Sequence, residues 1–487
     1  MEISRNKIGV SLIWNFGEKL FTQGIQLLIS IVLARILLPE DYGILALVTV
    51  FINIMTIIVE TGLGSAIIQK KNIDKKEINQ LFSINLFVSV VLYIGLFFLS
   101  PFIAKFYDKY DSELLVAVLR VYSLILPIGA FTSIQSSIIY RKFDFKKLFF
   151  INITTVVLSG AVGIVMARLN FGVWALVSQQ VMSKFVLLII LLFVLDWKPR
   201  LKKPDKETFT MMRYSLNILG NRLIIVVYNQ IRSLFIGKIY NADSLAFYNK
   251  GETFPSMIAT NTDYALQKVM FSAYSKVQDD IQNVKSMVRR TISLSTFVLM
   301  PLMLGFAATA DKIVLVVLTE KWMQSVDYMR FFCLIYLLQP IKTSSAQALN
   351  GIGKSNVTLR IGILSKIIGI AVLIPSINIS VKAIVIGAFF TEILSLPIYF
   401  YANKKYVTYS LKEQFSDLLK NLIPSLIMAV IVFFTGKLLN GMNTLLLLII
   451  QVAVGGIVYL VMAVITKNES FNYILDWAKK IKGAIKK

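Results

Sequence analysis

Nine basic residues lie well inside apolar segments of about 20 residues, the length that spans a lipid bilayer. They are Lys19, Arg120, Lys184, Arg222, Arg232, Lys268, Arg330, Lys342 and Lys366. Five acidic residues are placed in the same way, namely Glu18, Glu60, Glu252, Asp263 and Glu392. A charge at the centre of a bilayer costs at least about 2.5–3.5 kcal/mol, so each should face a partner or a water-filled cavity. The excess of cations predicts a cavity that binds an anion.

Two pairs of opposite charge lie at matching depths. Lys19 and Glu60 are each eight residues, roughly 12 Å, from the inner ends of the first two apolar segments. Arg222 and Asp263 have a similar depth in the second half of the chain. One interpretation is a structural ion pair in each half, Lys19–Glu60 and Arg222–Asp263. The other is an inner gate, or a ring of cations that binds phosphate.

Three further cations are candidates for contact with a ligand. Arg120 and Arg330 lie within six residues of the outer ends of their segments, where snorkelling to the lipid headgroups is the alternative explanation. Lys184 lies mid-segment among the serine and glutamine residues of 178–183 and cannot easily reach either interface. We therefore predict that Lys184 faces a cavity.

The rest of the sequence excludes much catalytic chemistry. The chain has no histidine, so it has no His metal ligand, no His general base and no His-dependent acyl transfer. Cys333 is the single cysteine, which excludes an intramolecular disulfide and a cysteine metal cluster. We expect no catalytic residue, no metal and no cofactor, and a transport protein rather than an enzyme.

Composition predicts an all-α polytopic membrane protein. Charged residues make up 16% of the 487 residues, against about 25% in ordinary globular chains, and the mean hydropathy is +0.70. The runs are continuous and not alternating, which favours helices and excludes a porin-like barrel. Fourteen spans are predicted: 11–37, 43–68, 81–104, 114–140, 148–168, 172–195, 212–240, 247–271, 288–310, 326–350, 357–375, 381–401, 418–437 and 442–466.

The loop charges predict the orientation. With a cytoplasmic N-terminus, the loops and span ends of that face collect 32 Lys and Arg residues, against 10 on the opposite face. The positive-inside rule then places both termini in the cytoplasm. This distribution also explains most of the net charge of +24 without a nucleic-acid partner.

An internal repeat organises the spans. The segment LRVYSL at 119–124 matches MRFFCL at 329–334 at an offset of 210, and GEKL at 17–20 matches GNRL at 220–223 at an offset of 203. Two parallel six-helix repeats forming two lobes around a central cavity are typical of transporters. The predicted organisation is an N-lobe at 1–195, a cytoplasmic linker at 196–211, a C-lobe at 212–402, two extra spans at 403–466 and a basic cytoplasmic tail at 467–487.

The chain resembles bacterial polysaccharide flippases of the Wzx and teichuronic-acid-exporter type. The resemblance lies in LPEDYG at 38–43, ETGLGSAIIQ at 60–69 and RKFDFK at 141–146, together with the six-plus-six repeat and two extra spans. These flippases belong to the multidrug/oligosaccharidyl-lipid/polysaccharide exporter superfamily. The resemblance implies a multi-pass protein of the bacterial cytoplasmic membrane.

The implied activity is translocation of an undecaprenyl-pyrophosphate-linked oligosaccharide to the outer leaflet, for O-antigen, capsule or teichuronic acid. The implied substrate-binding cations are Lys19, Arg120, Lys184, Arg222 and Arg330, and the implied gating or ion-pair acids are Glu60 and Asp263. Membrane lipids and a polysaccharide polymerase are candidate partners, and H+ and Na+ are both candidate coupling ions.

Two alternatives come from the same superfamily. A multidrug or small-molecule antiporter would favour twelve spans and an acidic cavity, whereas the candidate cavity residues here are net basic. The murein-precursor flippases carry arginines and an acid in their first span, and this chain has only Glu18 and Lys19 there. A surface glycan is therefore favoured as the substrate.

The predicted topology can be tested with reporter fusions. Fourteen spans with cytoplasmic termini require that a phosphatase fused after Ala402 or Lys487 stays inactive, because both positions then lie inside. A fluorescent protein at the same positions should be bright. An active phosphatase at either position would contradict the orientation.

Overall fold

The computed structural model describes residues 5–61, 64–70, 73–277 and 279–476, and this part of the chain is helical without a β-strand. Its contacts divide the chain into two compact units, Met1–Ala246 and Phe247–Lys487. The boundary lies within one long helix, α10 (Ala242–Lys276). The lobe boundaries inferred from the repeat stay a prediction.

The first unit contains nine helices ahead of α10 in its described part. They are α1 Arg5–Ile36, α2 Pro39–Thr61, α3 Gly64–Gln69, α4 Lys75–Phe106, α5 Ser112–Tyr122, α6 Ile125–Lys142, α7 Phe145–Arg168, α8 Val173–Val194 and α9 Lys206–Ile239. Helix α7 packs against α1 and α8, while α2 packs against α6, α8 and α9. Buried aliphatic side chains such as Leu33 of α1, Val156 of α7 and Leu176 of α8 form one core of this unit.

The second unit begins within α10. Its helices are α11 Ile281–Ala308, α12 Ala310–Val317, α13 Ser325–Leu337, α14 Gln339–Gly351, α15 Ser355–Ile377, α16 Val381–Tyr406, α17 Leu411–Leu438 and α18 Thr444–Ile465, with a 3₁₀ turn at Glu320–Trp322. Helix α11 packs against α13, α14 and α17, and α17 packs against α18. The chain is helical again at 469–476.

Helix ends follow from local side-chain chemistry. Asp74 caps α4 and Ser410 caps α17, and in each case a glutamate three residues later completes a capping box. Three predicted spans are each divided between two helices: 43–68 between α2 and α3, 114–140 between α5 and α6 after Tyr122, and 326–350 between α13 and α14 ahead of Pro340. Pro340 has no N–H to bond the Tyr336 carbonyl four residues earlier, and its ring would clash with that carbonyl, which explains the break between α13 and α14.

Eleven helices within the described residues are long and apolar enough to cross a membrane. The three predicted spans outside this set are also helical, as α9, as α10 and as the broken pair α13–α14. The protein is therefore a multi-pass helical membrane protein.

The outer surface of the helices fits a lipid environment. Phe87, Phe98 and Phe102 of α4 are each about 70% exposed, and Val452 and Ile457 of α18 are more than 60% exposed. Exposed apolar patches of this extent are rare on soluble monomers and mark contact with a partner or a membrane. The bilayer provides that cover.

The segment between α8 and α9 is held against the start of α4. The buried Gln80 side chain donates hydrogen bonds to the Lys203 carbonyl at 2.8 Å and to Asp205 at 3.1 Å, and accepts one from Thr208 at 2.9 Å. The hydrogen bonds from Gln80 and from Thr208, with Lys76 nearby, hold the pKa of Asp205 well below its usual range. This connection is a fixed part of the first unit.

A close backbone approach depends on Gly43. A Cβ added at Gly43 of α2 would lie 2.2 Å from the Ala242 carbonyl oxygen, a backbone atom that cannot rotate away. No neighbouring atom lies within 4 Å of the equivalent Cβ position at Gly95 of α4. The two glycines therefore provide a matched pair of substitution sites.

We expect Gly43→Ala to lower the free energy of unfolding by about 1–3 kcal/mol, because the backbones must separate. Gly95→Ala should be neutral or slightly stabilising, because alanine favours a helix over glycine by about 1 kcal/mol. Thermal unfolding of both variants in the same detergent measures the difference. Equal melting temperatures would contradict the close approach.

Candidate functional site

An ion pair joins two spans of the first unit. Lys184 Nζ of α8 contacts Glu60 Oε1 of α2, with side chains 29% and 37% exposed. Helix α6 lies beside the pair at Gly129, where a Cβ would make an ordinary van der Waals contact with Glu60 Oε1 at 3.8 Å. The pair is partly accessible, so its members are available to a ligand.

This contact differs from the Lys19–Glu60 pair, one of the two interpretations of the sequence. The structure pairs Glu60 with Lys184 where the sequence suggested Lys19, because α8 packs against α2 whereas α1 packs mainly against α7. The neighbouring Glu18 accepts a hydrogen bond from Asn152 of α7 at 2.7 Å. Matching depth in two helices therefore did not identify the partner.

The second predicted pair cannot be compared in the same way. Arg222 of α9 is exposed, while the Asp263 side chain lies outside the described residues. The pairing Arg222–Asp263 stays a prediction.

The second unit contains a related ion pair. Lys342 of α14 contacts Glu392 of α16, and these side chains are 22% and 21% exposed. Both residues stand out in the sequence as charges inside spans, but their spacing of 50 residues gives no sign of the contact. Each unit thus holds a span-embedded Lys–Glu pair.

Arg120 of α5 lies against α4. Its guanidinium carbon is 4.1 Å from the centre of the Phe97 ring, and its Nε is 3.1 Å from Ser100 Oγ and 3.4 Å from the Phe97 carbonyl oxygen. Stacking on an aromatic ring fixes the plane of a guanidinium group and leaves its outer N–H groups available. In the described part of the chain, Arg120 forms no ion pair with a carboxylate.

Arg330 of α13 repeats part of this geometry with different charges. Its Nε is 3.4 Å from the Ala307 carbonyl oxygen. Arg330 lies 210 positions after Arg120, and Ala307 lies 210 positions after Phe97, the residue whose carbonyl oxygen Arg120 contacts. Arg330 also lies 3.8 Å from Asp311 and 3.8 Å from Asp327. Arg330 therefore lies near two acids of a kind that Arg120 lacks, and these acids also contact Lys312 at 3.3 Å and Lys382 at 2.6 Å.

A cavity of about 670 Å³ adjoins Arg120 at the end of α4 and the start of α5. Lys105, Asp108 and Glu113 are its other charged lining residues, and Asp108 forms an ion pair with Lys238 at 3.1 Å. Arg120 and Lys105 then face Glu113, a lining carboxylate that forms no ion pair within the described residues. The cavity suits an anionic group such as a phosphate.

The sequence did not predict the strongest ionic network of the second unit. Arg289 of α11 donates to both carboxylate oxygens of Asp417, at 2.7 and 3.0 Å, and Tyr409 donates to the same carboxylate at 2.8 Å. Glu413 accepts from Lys285 at 2.8 Å. The sequence analysis counted these cations only among the loop charges that determine orientation. Their role in packing is visible only from the contact between α11 and α17.

The arrangement can bind anions but offers no metal centre among the residues described. No group of three or more His, Cys, Asp or Glu side chains lies close enough to hold a metal ion there. Arg120 and Lys184 are the two predicted cations with the best geometry for a ligand. Arg120 presents unneutralised charge, and Lys184 can exchange the half-exposed Glu60 for another anion.

The difference between Arg120 and Arg330 is testable with pyrophosphate as a probe. Arg120→Gln should weaken pyrophosphate binding to the purified protein about tenfold or more, since a charged hydrogen bond contributes about 1.5–3 kcal/mol. Arg330→Gln should weaken binding less, because Asp311 and Asp327 lie 3.8 Å from its guanidinium group and compete with the probe. Titration calorimetry measures both. An equal loss in the two variants would contradict the assignment.

Comparison with known proteins identifies the family. The model of the polysaccharide biosynthesis protein family matches residues 32–327, more than half of the chain. The succinoglycan biosynthesis transport protein ExoT of Rhizobium meliloti is 23% identical over 474 residues, covering 96% of this chain and 94% of ExoT. The lipopolysaccharide biosynthesis protein WzxC of Escherichia coli is 21% identical and covers 67% of this chain and 66% of WzxC.

Solved structures share the fold. The lipid II flippase MurJ in an inward closed conformation is 14% identical, with a TM-score of 0.73 over 93% of this chain and 98% of MurJ. An inward-facing multidrug resistance MATE family transporter of the MOP superfamily is 15% identical, with a TM-score of 0.61 over 80% of this chain and 94% of the transporter. The resemblance seen in the sequence motifs is confirmed: this multi-pass membrane protein belongs to the polysaccharide biosynthesis protein family.

Proposed function

We propose that this chain is a flippase that moves undecaprenyl-pyrophosphate-linked oligosaccharide repeat units across the bacterial cytoplasmic membrane for surface polysaccharide synthesis. The family match over 32–327 supports a role in polysaccharide biosynthesis. The relative named as a succinoglycan transport protein aligns along almost the whole chain, which supports a transport role. Multiple apolar helices fit transport of a lipid-linked molecule.

The observation that carries the substrate class is the unneutralised Arg120. It is oriented by the Phe97 ring, adjoins a cavity and has no carboxylate partner in the described residues. Planar guanidinium groups bind phosphate through two parallel hydrogen bonds. A diphosphate is the anionic part of the proposed substrate, so Arg120 is the first residue proposed to contact it.

Lys184 is the second proposed contact. In the ion pair, Glu60 holds the ammonium group in the absence of substrate, and its 37% exposure allows the carboxylate to turn towards water. An arriving diphosphate would then replace Glu60 as the partner of Lys184. Lys19, Arg222 and Arg330 stay in the proposal as further candidate contacts, with Arg222 exposed and Arg330 lying 3.8 Å from both Asp311 and Asp327.

The proposed architecture has fourteen spans in two six-helix repeats, with 403–466 as the extra spans and both termini in the cytoplasm. Eleven helices meet the length and hydropathy requirements, and α9, α10 and the pair α13–α14 would supply the other three. The equivalent contacts of Arg120 and Arg330, separated by 210 residues, support a repeat.

The alternative substrates have weaker support. The structures of MurJ and MATE transporters are only 13–15% identical to this chain, a likeness that extends to the fold alone. The relatives in sequence are named for succinoglycan, lipopolysaccharide and teichuronic acid. These names all refer to polysaccharides, and none refers to a drug or a murein precursor.

Gene deletion followed by complementation tests the proposal. Deletion should abolish surface polysaccharide and cause lipid-linked repeat units to accumulate, and the intact gene should restore export. A complementing gene with Lys184→Glu and Glu60→Lys should give normal protein but no export, because an acid at 184 repels a diphosphate. The matched control is Lys342→Glu with Glu392→Lys, which keeps a similar ion pair and should restore export.

The outcomes test the flippase function and the role of Lys184 separately. Unchanged surface polysaccharide after deletion would overturn the flippase function, and cell lysis with accumulated murein precursor would favour that substrate instead. Full export by the swap of residues 60 and 184 would overturn the role of Lys184 while leaving the flippase function intact. Protein abundance is measured by immunoblot, so a folding defect is not counted as a transport defect.

A further inference from the structure

A second cavity lies at one membrane end of the second unit, distant in sequence from the candidate site. It measures about 610 Å³ and lies between the start of α17 and the end of α18. Consecutive spans run in opposite directions, so the start of α17 and the end of α18 share one membrane interface. We call this cavity the α17–α18 slot.

One wall of the slot is apolar. Phe415, Leu419 and Ile423 lie four residues apart on α17 and therefore share one helix face. These side chains are 56%, 40% and 49% exposed, so the chain itself leaves much of this face uncovered. The wall continues at Pro424, further into the span. An acyl chain fits such a face.

The rim of the slot is cationic. Lys412, Lys420 and Lys467 line it, against Glu469 as the single acidic lining residue. Lys420 lies 3.1 Å from Glu469 and 3.7 Å from Asp417. In the described part of the chain, no ion pair is recorded for Lys412 or Lys467, and both are exposed. Two lysines are thus available to an anion at the mouth of an apolar slot.

The position of Lys467 is fixed by buried neighbours. Asn468, 8% exposed, donates to Asn421 Oδ1 at 2.8 Å, and Asn421 donates to the Thr296 hydroxyl at 2.8 Å and to the Ser293 carbonyl at 2.9 Å. This network attaches the end of α18 to α17 and α11. The rim is therefore preformed, which reduces the entropy cost of binding.

We propose that the α17–α18 slot binds an anionic phospholipid of the surrounding bilayer, with its phosphate at Lys412 and Lys467 and an acyl chain along Phe415, Leu419 and Ile423. Basic pockets between membrane helices at an interface bind anionic headgroups. A zwitterionic headgroup would place its ammonium group among the lysines. The chain after residue 476 adds five lysines and no acid, so its charge does not complement the slot.

The test uses the purified full-length protein and native mass spectrometry with phosphatidylglycerol and phosphatidylcholine. The wild type should retain phosphatidylglycerol at least tenfold better than phosphatidylcholine. Lys412→Glu with Lys467→Glu should weaken phosphatidylglycerol binding about tenfold or more, because each lysine near a surface contributes measurably to anionic lipid attraction. The neutral variant Lys412→Gln with Lys467→Gln should show a smaller loss and covers the case in which the reversed protein misfolds.

The matched control is Lys404→Glu with Lys405→Glu. These exposed lysines of the last turn of α16 give the same change in net charge outside the slot, and binding should be unchanged. An equal loss in this control would overturn the proposal in favour of diffuse charge attraction. Equal retention of the two lipids by the wild type would also overturn it, and competition by glycerol phosphate would reduce the site to a phosphate site without a lipid chain.

Discussion

A charge that enters the hydrocarbon core must bring its own partner or keep access to water, and this constraint orders the described parts of both units. Lys184 pairs with Glu60 and Lys342 pairs with Glu392, each contact joining two helices. Moving either charge alone into lipid would cost at least about 2.5–3.5 kcal/mol. The pairs therefore select which helices stay together. Because their side chains remain 21–37% exposed, the same groups stay within reach of a polar ligand.

The presence of charges in long apolar helices could be predicted from the sequence, but the rotation of each helix about its axis could not. Hydropathy placed Glu60 and Lys184 within predicted spans. It could not tell which neighbour each would face, because that depends on packing between helices distant in sequence. Glu60 and Lys184 are 124 residues apart, and their contact exists because α8 lies against α2. The same limit hid the Arg289–Asp417 contact, whose residues are 128 positions apart.

The helical fold was more predictable than its details because hydropathy over 20 residues is a strong signal. Nearly every predicted span corresponds to a helix or a broken pair of helices. The breaks were harder to predict, since a run such as 114–140 stays apolar where α5 ends at Tyr122 and α6 begins at Ile125. The connection after α8 also looked like a plain polar linker. Its fixed position depends on the buried Gln80, which no local pattern marks as a partner of Lys203.

Arg120 and Arg330 make a similar backbone contact but differ in the charges around them. Arg120 and Arg330 make the same Nε contact with a carbonyl oxygen 23 residues earlier, at the same 3.4 Å. This contact is alike in the two units, although Asp311 and Asp327 lie near Arg330 and no ion pair forms at Arg120 among the described residues. An arginine with acids nearby can stabilise the helices it joins, whereas one that is stacked on an aromatic ring without an ion pair keeps its charge for a ligand. In the proposed repeat, Arg330 would thus stabilise helix packing, whereas Arg120 would bind the anion.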